Sequence, residues 1–249
     1  MSTDLTDLTG KIAFITGAGS IGGQGEAEAR LFVEHGARVV IADLPGSAGA
    51  EIADSLGDKA MFVPLDVTSP QQWAEAVALI EKTWGTVTVL LNTAGVWLMK
   101  GLEETSPEEY RRVIDVNQYG MYLGMAAIVP GMRRAGGGAI VNTCSVSGMK
   151  GGDQPFAYAA SKWAVRGMTR SAAHELAQFG IRINSISPGV VDTPMIEGGP
   201  EVLDHLAAMV PNGRVARPQE VATIALFLAS DASSYISGTE ITADAALTA

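Results

Sequence analysis

A chain of 249 residues with a hydrophobic fraction of 47% and 29 glycines spread along its length is long enough to bury one large core. No repeat, low-complexity segment or proline-rich linker interrupts it, so a single α/β domain over 1–249 is expected. Seventeen Lys and Arg against 27 Asp and Glu leave a net charge of −10, which argues against polyanion binding and excludes nucleic acid as an expected partner. The single cysteine, Cys144, rules out an internal disulfide, and His35, His174 and His205 are too scattered to suggest a metal site. The first seven residues lack the basic start and apolar core of a signal peptide, and no window has the length of a membrane helix. A cytoplasmic location without membrane attachment is expected.

From residue 12 an apolar strand, Ile12-Ala13-Phe14-Ile15-Thr16, runs into the glycine loop Gly17-Ala18-Gly19-Ser20-Ile21-Gly22-Gly23-Gln24-Gly25. A helical pattern follows, with Ala27, Leu31 and Phe32 on one side, and ends at Gly36. Strand, glycine turn and helix in this order let a pyrophosphate approach the backbone and meet a helix N-terminus, which predicts a dinucleotide site. The second strand, over 38–42, ends in Asp43. A carboxylate there can accept hydrogen bonds from both hydroxyls of an adenosine ribose and repels a 2′-phosphate. No lysine or arginine lies between 12 and 29 or between 43 and 58 to neutralise such a phosphate, so NAD is expected over NADP.

A third strand over 60–65 leads to Asp66 and Val67, and Thr68-Ser69-Pro70 starts a helix to about Trp84. The fourth strand, over 87–91, enters Asn92-Thr93-Ala94-Gly95, whose small residues let the backbone pass close to a flat ligand. A long helix is expected from Pro107 to about Arg134; it contains Asn117, an unfavourable residue there unless its amide has a task. Alternating strands and helices of this length mean parallel βαβ units.

The fifth strand, over 139–144, delivers Ser145 to the sheet edge, free to donate to a substrate oxygen, and Cys144 reads as a small buried hydrophobe. The next helix, extending to about Phe179, carries Tyr158 and Lys162, which at i and i+4 share one face. A free phenol has a pKa of about 10. A cation ~4 Å away at an effective dielectric of about 20 contributes up to roughly 4 kcal/mol, or about three pKa units. Tyr158 is therefore expected to exchange a proton near neutral pH. Strand six covers 181–187, followed by Pro188-Gly189 and a mixed segment over 195–212. A helix from Pro218 through Ala229 and a last strand over 239–242 complete the chain.

Taken together, the glycine loop, Asn92-Thr93-Ala94-Gly95, Asn117, Ser145, Tyr158 with Lys162, and Pro188-Gly189 resemble the short-chain dehydrogenase/reductase family from about residue 11 to 243. The resemblance implies a single Rossmann-type domain, a doubly wound seven-stranded parallel sheet of order 3-2-1-4-5-6-7 with NAD across the strand C-terminal ends. It implies Tyr158 as acid/base, Lys162 lowering the phenol pKa and holding the nicotinamide ribose, Ser145 fixing the substrate oxygen, and Asn117 supporting a water-linked proton path. Cofactor contacts are implied for Gly17, Ser20, Gly23, Gln24 and Gly25 in the loop and for Asp43 and Leu44 after the second strand. Asp66 and Val67 match the adenine pair; Asn92, Ala94 and Gly95 border the cofactor; Pro188, Gly189, Val191 and Thr193 match the carboxamide side. A homotetramer packed through 107–134 and 157–179 is also implied.

Counting back from Gly36 places Gly23 and Gly25 on the family's last two glycines and leaves the loop two residues longer than usual, although Gly17, Gly19 and Gly22 also fit a generic Rossmann spacing. Thr93 stands where alanine is common, Cys144 where serine is common, and Asp244-Ala245-Ala246 replaces the more usual Asp-Gly-Gly. Trp97, Val146, Met149, Phe156, Met195 and Ile196 are expected to border the nicotinamide, with Val96, Met99 and Met209 nearby. Such a pocket favours a hydrophobic alcohol or ketone, alicyclic, terpenoid or steroidal, under a lid at 195–212. A 3-oxoacyl-carrier-protein reductase shares these catalytic residues; Asp43, and Phe179 where those reductases commonly have arginine, count against it. A non-catalytic NAD-binding sensor or scaffold would be marked by loss of a catalytic residue, and none of the four is lost.

Overall fold

The computed structural model describes residues 4–151, 154–196 and 198–249, so the expected lid is described apart from position 197. Seven strands, β1 (Ile12–Thr16), β2 (Arg38–Asp43), β3 (Ala60–Pro64), β4 (Val89–Asn92), β5 (Gly138–Thr143), β6 (Ile181–Pro188) and β7 (Glu240–Ala243), form one sheet. They are parallel throughout and lie in the order β3-β2-β1-β4-β5-β6-β7, as the resemblance implied. Parallel strands are apolar on both faces because helices cover both. In β1, Ala13 and Ile15 join the core under α1 (Gln24–Glu34) and α8 (Pro218–Ala229). Ile12 and Phe14 join the opposite core under α3 (Pro70–Thr83), α5 (Gly120–Ala135) and α6 (Phe156–Leu176), where Phe14 stacks on the buried Trp73 at 5.1 Å. Burying one such aromatic stabilises the fold by roughly 1.5–3 kcal/mol.

Chain direction away from the sheet centre reverses between β1 and β4, which opens a crevice beyond their C-terminal ends. Registers pairing Thr16 with Asn92 and Asn92 with Asn142 bring three of those ends level. Asn142 then locks α6 over the sheet, donating to Thr169 Oγ1 at 3.0 Å.

Three elements depart from the sequence reading. Residues 49–56, left without an element there, form α2 (Gly49–Leu56), which buries Ile52 and Ala53. The segment read as mixed contains a helix, α7 (Gly199–Met209), which buries none of its residues fully. The long helix expected from Pro107 is broken: α4 (Pro107–Ile114) passes through a π-helical turn, Asp115–Tyr119, before α5. Among the described residues no helix is long and apolar enough to cross a membrane.

Candidate active site

The π turn explains the asparagine in the helix. Asn117, fully buried, accepts from the Val96 N–H at 2.8 Å and donates to the Val96 carbonyl at 2.9 Å and to Ser161 Oγ at 3.1 Å. Its amide clamps the segment after β4 to α6; the extra residue of a π turn re-aims the side chain to reach both. A Cβ on Gly95 would lie 3.4 Å from Asn117 Oδ1 and 3.8 Å from Lys162 Nζ, so glycine leaves a flat face at that point.

Ser145 follows β5 in extended conformation; its Oγ accepts from the Ser147 N–H at 3.1 Å and lies near enough to the Tyr158 hydroxyl to lower its pKa. Lys162, only 3% exposed, donates to the Thr143 carbonyl at 2.8 Å and lies 5.5 Å from the centre of the Tyr158 ring. The expected near-neutral phenol is not what this arrangement produces. Withdrawal from water pushes the Tyr158 hydroxyl up to about 12, against the opposing effect of the Ser145 hydroxyl. Burial also brings the Lys162 ammonium down to about 8. The correction has a physical cause: spacing put the two groups on one face, but the ammonium spends its hydrogen bond on a backbone carbonyl, and desolvation dominates both groups. As folded, Tyr158 is a proton donor at neutral pH. Cys144 is buried and inert, its thiol pushed up by burial.

The cofactor side is a cradle of close backbone approaches. A Cβ on Gly17 would lie 2.6 Å from Ala94 Cα, and one on Gly25 would lie 2.6 Å from the Gly17 carbonyl oxygen. Gly23 is the N-cap of α1 and meets Ser20, and a Cβ on Gly19 would collide with Ser47 Oγ, so Gly17, Gly19, Gly23 and Gly25 are packing glycines, whereas Gly22 faces open space. No side chain caps α1, which leaves the amides of its first turn, from Gln24 onward, available to an anion. Thr16, which sequence reading passed over as an ordinary strand residue, accepts from the Thr93 and Ala94 N–H groups at 3.1 and 3.2 Å and fixes that segment. Its signal was a hydroxyl directly before the first glycine.

The lengthened loop is fastened by two carboxylates. Asp43 accepts from the Gly19 and Leu44 N–H groups, both at 2.7 Å. Glu26 accepts from the Gly22 N–H at 2.6 Å and pairs with Arg30 at 2.7 Å. Ser20, Ile21 and Leu44 are exposed beside them. Asp66 accepts from both the N–H and the hydroxyl of Thr68, while the Val67 carbonyl accepts from the Trp73 indole at 3.0 Å, so the end of β3 is rigidly placed.

Two cofactor-contact expectations are narrowed. Asn92 turns its side chain into the sheet and donates to Asn142 Oδ1 at 2.9 Å, and Val191 packs in the core at 9% exposure. Pro188 ends β6, the Gly189 N–H donates to Ala243 at 2.9 Å, and Thr193 accepts from Ile196 at 3.0 Å. In place of the usual Gly-Gly, Ala245 and Ala246 adopt left-handed φ of 50° and 67°, held by Asp244, which accepts from the Ala246 and Thr248 N–H groups.

Of the expected substrate residues, Val146 and Met149 lie in the turn after Ser145; Met149 accepts a hydrogen bond from Thr242. Trp97 and Met195 are partly exposed at 36% and 43%, and Ile196 is half-buried. Phe156 is placed elsewhere. Its ring packs on Tyr110 of α4 at 6.2 Å and lines a groove of about 670 Å³ with Leu102, Pro107 and Ile114, a groove whose walls include neither Ser145 nor Tyr158. Residues before Tyr158 on the same helix face different neighbours, which spacing alone did not separate.

A seven-stranded doubly wound sheet with Ser145, Tyr158, Lys162 and Asn117 gathered beyond its central strands defines a nucleotide-dependent oxidoreductase of one class. The chain belongs to the short-chain dehydrogenase/reductase family, and the family implies a nicotinamide cofactor. A family model described as enoyl-(acyl carrier protein) reductase matches residues 17–248. A 3-alpha-(or 20-beta)-hydroxysteroid dehydrogenase of Mycobacterium bovis is 41% identical over 95% of this chain and 89% of its own. A trans-4-hydroxycyclohexanecarboxylate dehydrogenase of Sinomonas cyclohexanicum is 40% identical over 96% and 93%. The crystal structure of a short-chain type dehydrogenase/reductase from Mycobacterium marinum, 35% identical, superposes with a TM-score of 0.93 over 98% of both chains.

Proposed function

We propose that this protein is an NAD-dependent dehydrogenase of hydrophobic secondary alcohols borne on a saturated ring, interconverting them with their ketones. The observation that carries the reading is the convergence of Ser145, Tyr158 and Lys162 beside Gly95, where the missing Cβ leaves a flat face, with the glycine loop fixed alongside by the tight backbone packing of Gly17 and Gly25. The residues present fit a dinucleotide: the uncapped head of α1 would take the pyrophosphate, Asp43 the adenosine ribose, and Lys162 the second ribose. Bound nicotinamide supplies the acceptor or donor of hydride.

In ketone reduction Tyr158, protonated as folded, gives its proton to the substrate oxygen while Ser145 donates a second hydrogen bond that stabilises the charge developing there. In alcohol oxidation Tyr158 must first lose its proton, with Lys162 Nζ 5.5 Å from the centre of its ring. The side chain of Asn117 holds Val96 and Ser161, so its contribution is to keep the substrate-side segment and α6 in register. NAD over NADP is supported by Asp43 and by Arg30, the nearest basic residue after the loop, being paired with Glu26. Ring substrates are supported by the names of the two relatives, one a dehydrogenase of a hydroxycyclohexane carboxylate and the other of 3-alpha- (or 20-beta-) hydroxysteroids. We place the enzyme in the cytoplasm as a homotetramer, with the exposed Tyr119, Tyr122 and Trp163 on the helices that would pack.

The test is a screen following NADH absorbance with cyclic, steroidal and linear secondary alcohols and NAD, beside acetoacetyl thioesters with NADH and NADPH. Turnover of cyclic alcohols with NAD is expected. Faster reduction of acyl thioesters with NADPH would replace this reading with the acyl-carrier one.

A further inference from the structure

Thr93, a threonine where the family commonly has alanine, has a partner in the fold: its hydroxyl donates to Glu28 Oε2 at 2.6 Å. Glu28 is 1% exposed, and its other oxygen accepts from the Gln24 side-chain amide at 2.8 Å. The same Gln24 nitrogen lies 3.3 Å from Thr143 Oγ1, and the Thr143 carbonyl is the anchor of Lys162. One buried carboxyl thus ties the head of α1 to the segment after β4 and the end of β5. Those are three walls of the crevice. We propose that Glu28 is a positioning residue for the dinucleotide and that its proton is linked to binding, the anionic cofactor being held more tightly while this carboxyl is neutral. The inference rests on the reading that the crevice binds NAD.

The linkage follows from where the charge sits. Gln24 and Glu28 are at i and i+4 on α1, so an ionised Glu28 lies one turn inside the helix whose uncapped amides would receive phosphate. A carboxylate can accept from both Thr93 and Gln24; a neutral carboxyl can donate to Thr93 Oγ1 while still accepting from Gln24. The frame is therefore bonded in both states, and only the charge changes. Burial pushes the carboxyl up to about 7, against the Thr93 and Gln24 hydrogen bonds. Charged groups on neighbouring elements are engaged elsewhere. On α1 itself Glu26 pairs with Arg30, Asp43 of β2 faces the loop amides, and Glu220 of α8 pairs with Arg214. Glu51 and Asp54 of α2 are exposed, Lys162 faces the Thr143 carbonyl, and no charge is among the causes that move the Glu28 carboxyl.

NADH fluorescence titrations of the whole protein across neutral pH test the proposal. Wild-type affinity is expected to weaken roughly three- to tenfold as pH rises through the carboxyl's range, the effect of a like charge at partly screened distance. Glu28→Gln is neutral, isosteric and able to keep both bonds, and its affinity should stay flat until Lys162 titrates. Thr93→Ala removes a donor to the ionised form, so its midpoint should move to higher pH. A readout without nucleotide runs alongside. Folding raises the carboxyl from 4.5 to about 7, so folded protein holds the proton more tightly and stability falls as pH rises through that interval. The Tm advantage of Glu28→Gln should therefore grow with pH. A wild-type pH slope retained in Glu28→Gln overturns the proposal and leaves the cofactor reading standing. If Glu28→Gln does not fold, an unmoved midpoint in Thr93→Ala overturns it. Failure of the wild type to bind NADH at any pH overturns both.

Discussion

At the catalytic end of the crevice Asn117 and Lys162 are held by hydrogen bonds to backbone groups of Val96 and Thr143, whereas at the adenosine end the lengthened glycine loop is held by the carboxylates of Asp43 and Glu26 on its amides. Backbone partners do not titrate, so at this end only the Lys162 donor itself, brought down to about 8, responds to pH. Carboxylate clasps sit where the proposed reading places an anionic ligand, so on that reading affinity and cofactor choice are set there. The buried Glu28 joins the two ends. Chemistry and recognition are thus built from different kinds of bond, and each can be weakened while the other is watched.

The largest effect is expected from Tyr158→Phe, which removes the proton donor: turnover should fall about 10²- to 10⁴-fold while NADH binding is retained. Turnover near wild type in stopped-flow assays would reject the acid/base role. Asn117→Ala should come next. It leaves the half-buried Val96 N–H and carbonyl without their Asn117 partners, costs about 1–3 kcal/mol measured by denaturant unfolding, and lowers kcat by misplacing the segment opposite Tyr158. A smaller, selective change is expected from Asp43→Ser at the adenosine end: kcat/KM for NAD should drop roughly tenfold and that for NADP should rise, with kcat nearly unchanged. Equal use of NAD and NADP by the wild type would break the comparison at that end. The gentlest probe is pH. Because the phenol is pushed up to about 12, alcohol oxidation should climb steadily through the alkaline range, while ketone reduction stays flat through neutrality and declines only as Tyr158 deprotonates.

Much of the catalytic end was legible because its residues are linked by short-range rules. Tyr158 and Lys162 share a helix face, Ser145 ends a strand, and Asn117 advertised itself as a polar residue in an apolar helix. The adenosine end was legible as strand, glycine turn, helix and acidic strand end. The fine assignment of its glycines waited for Gly17 to be seen against Ala94 and Gly25 against Gly17. Glu28 escaped notice although its signal was present: an acid between Ala27 and Ala29 in the first turns of a helix that must bury that face. Phe156 misled because a helix's first turn can point its side chains to either of two clefts.

Periodicity, strand-to-helix order and motif spacing, all properties of neighbours along the chain, determined the seven-stranded fold and singled out the residues proposed as the catalytic group. Only tertiary packing decided which partner each polar side chain meets, since those partners lie 65 residues apart for Thr93 with Glu28 and 19 apart for Lys162 with Thr143. It also decided the acidity of Tyr158, because desolvation depends on everything that surrounds a group in space and on nothing that adjoins it in sequence.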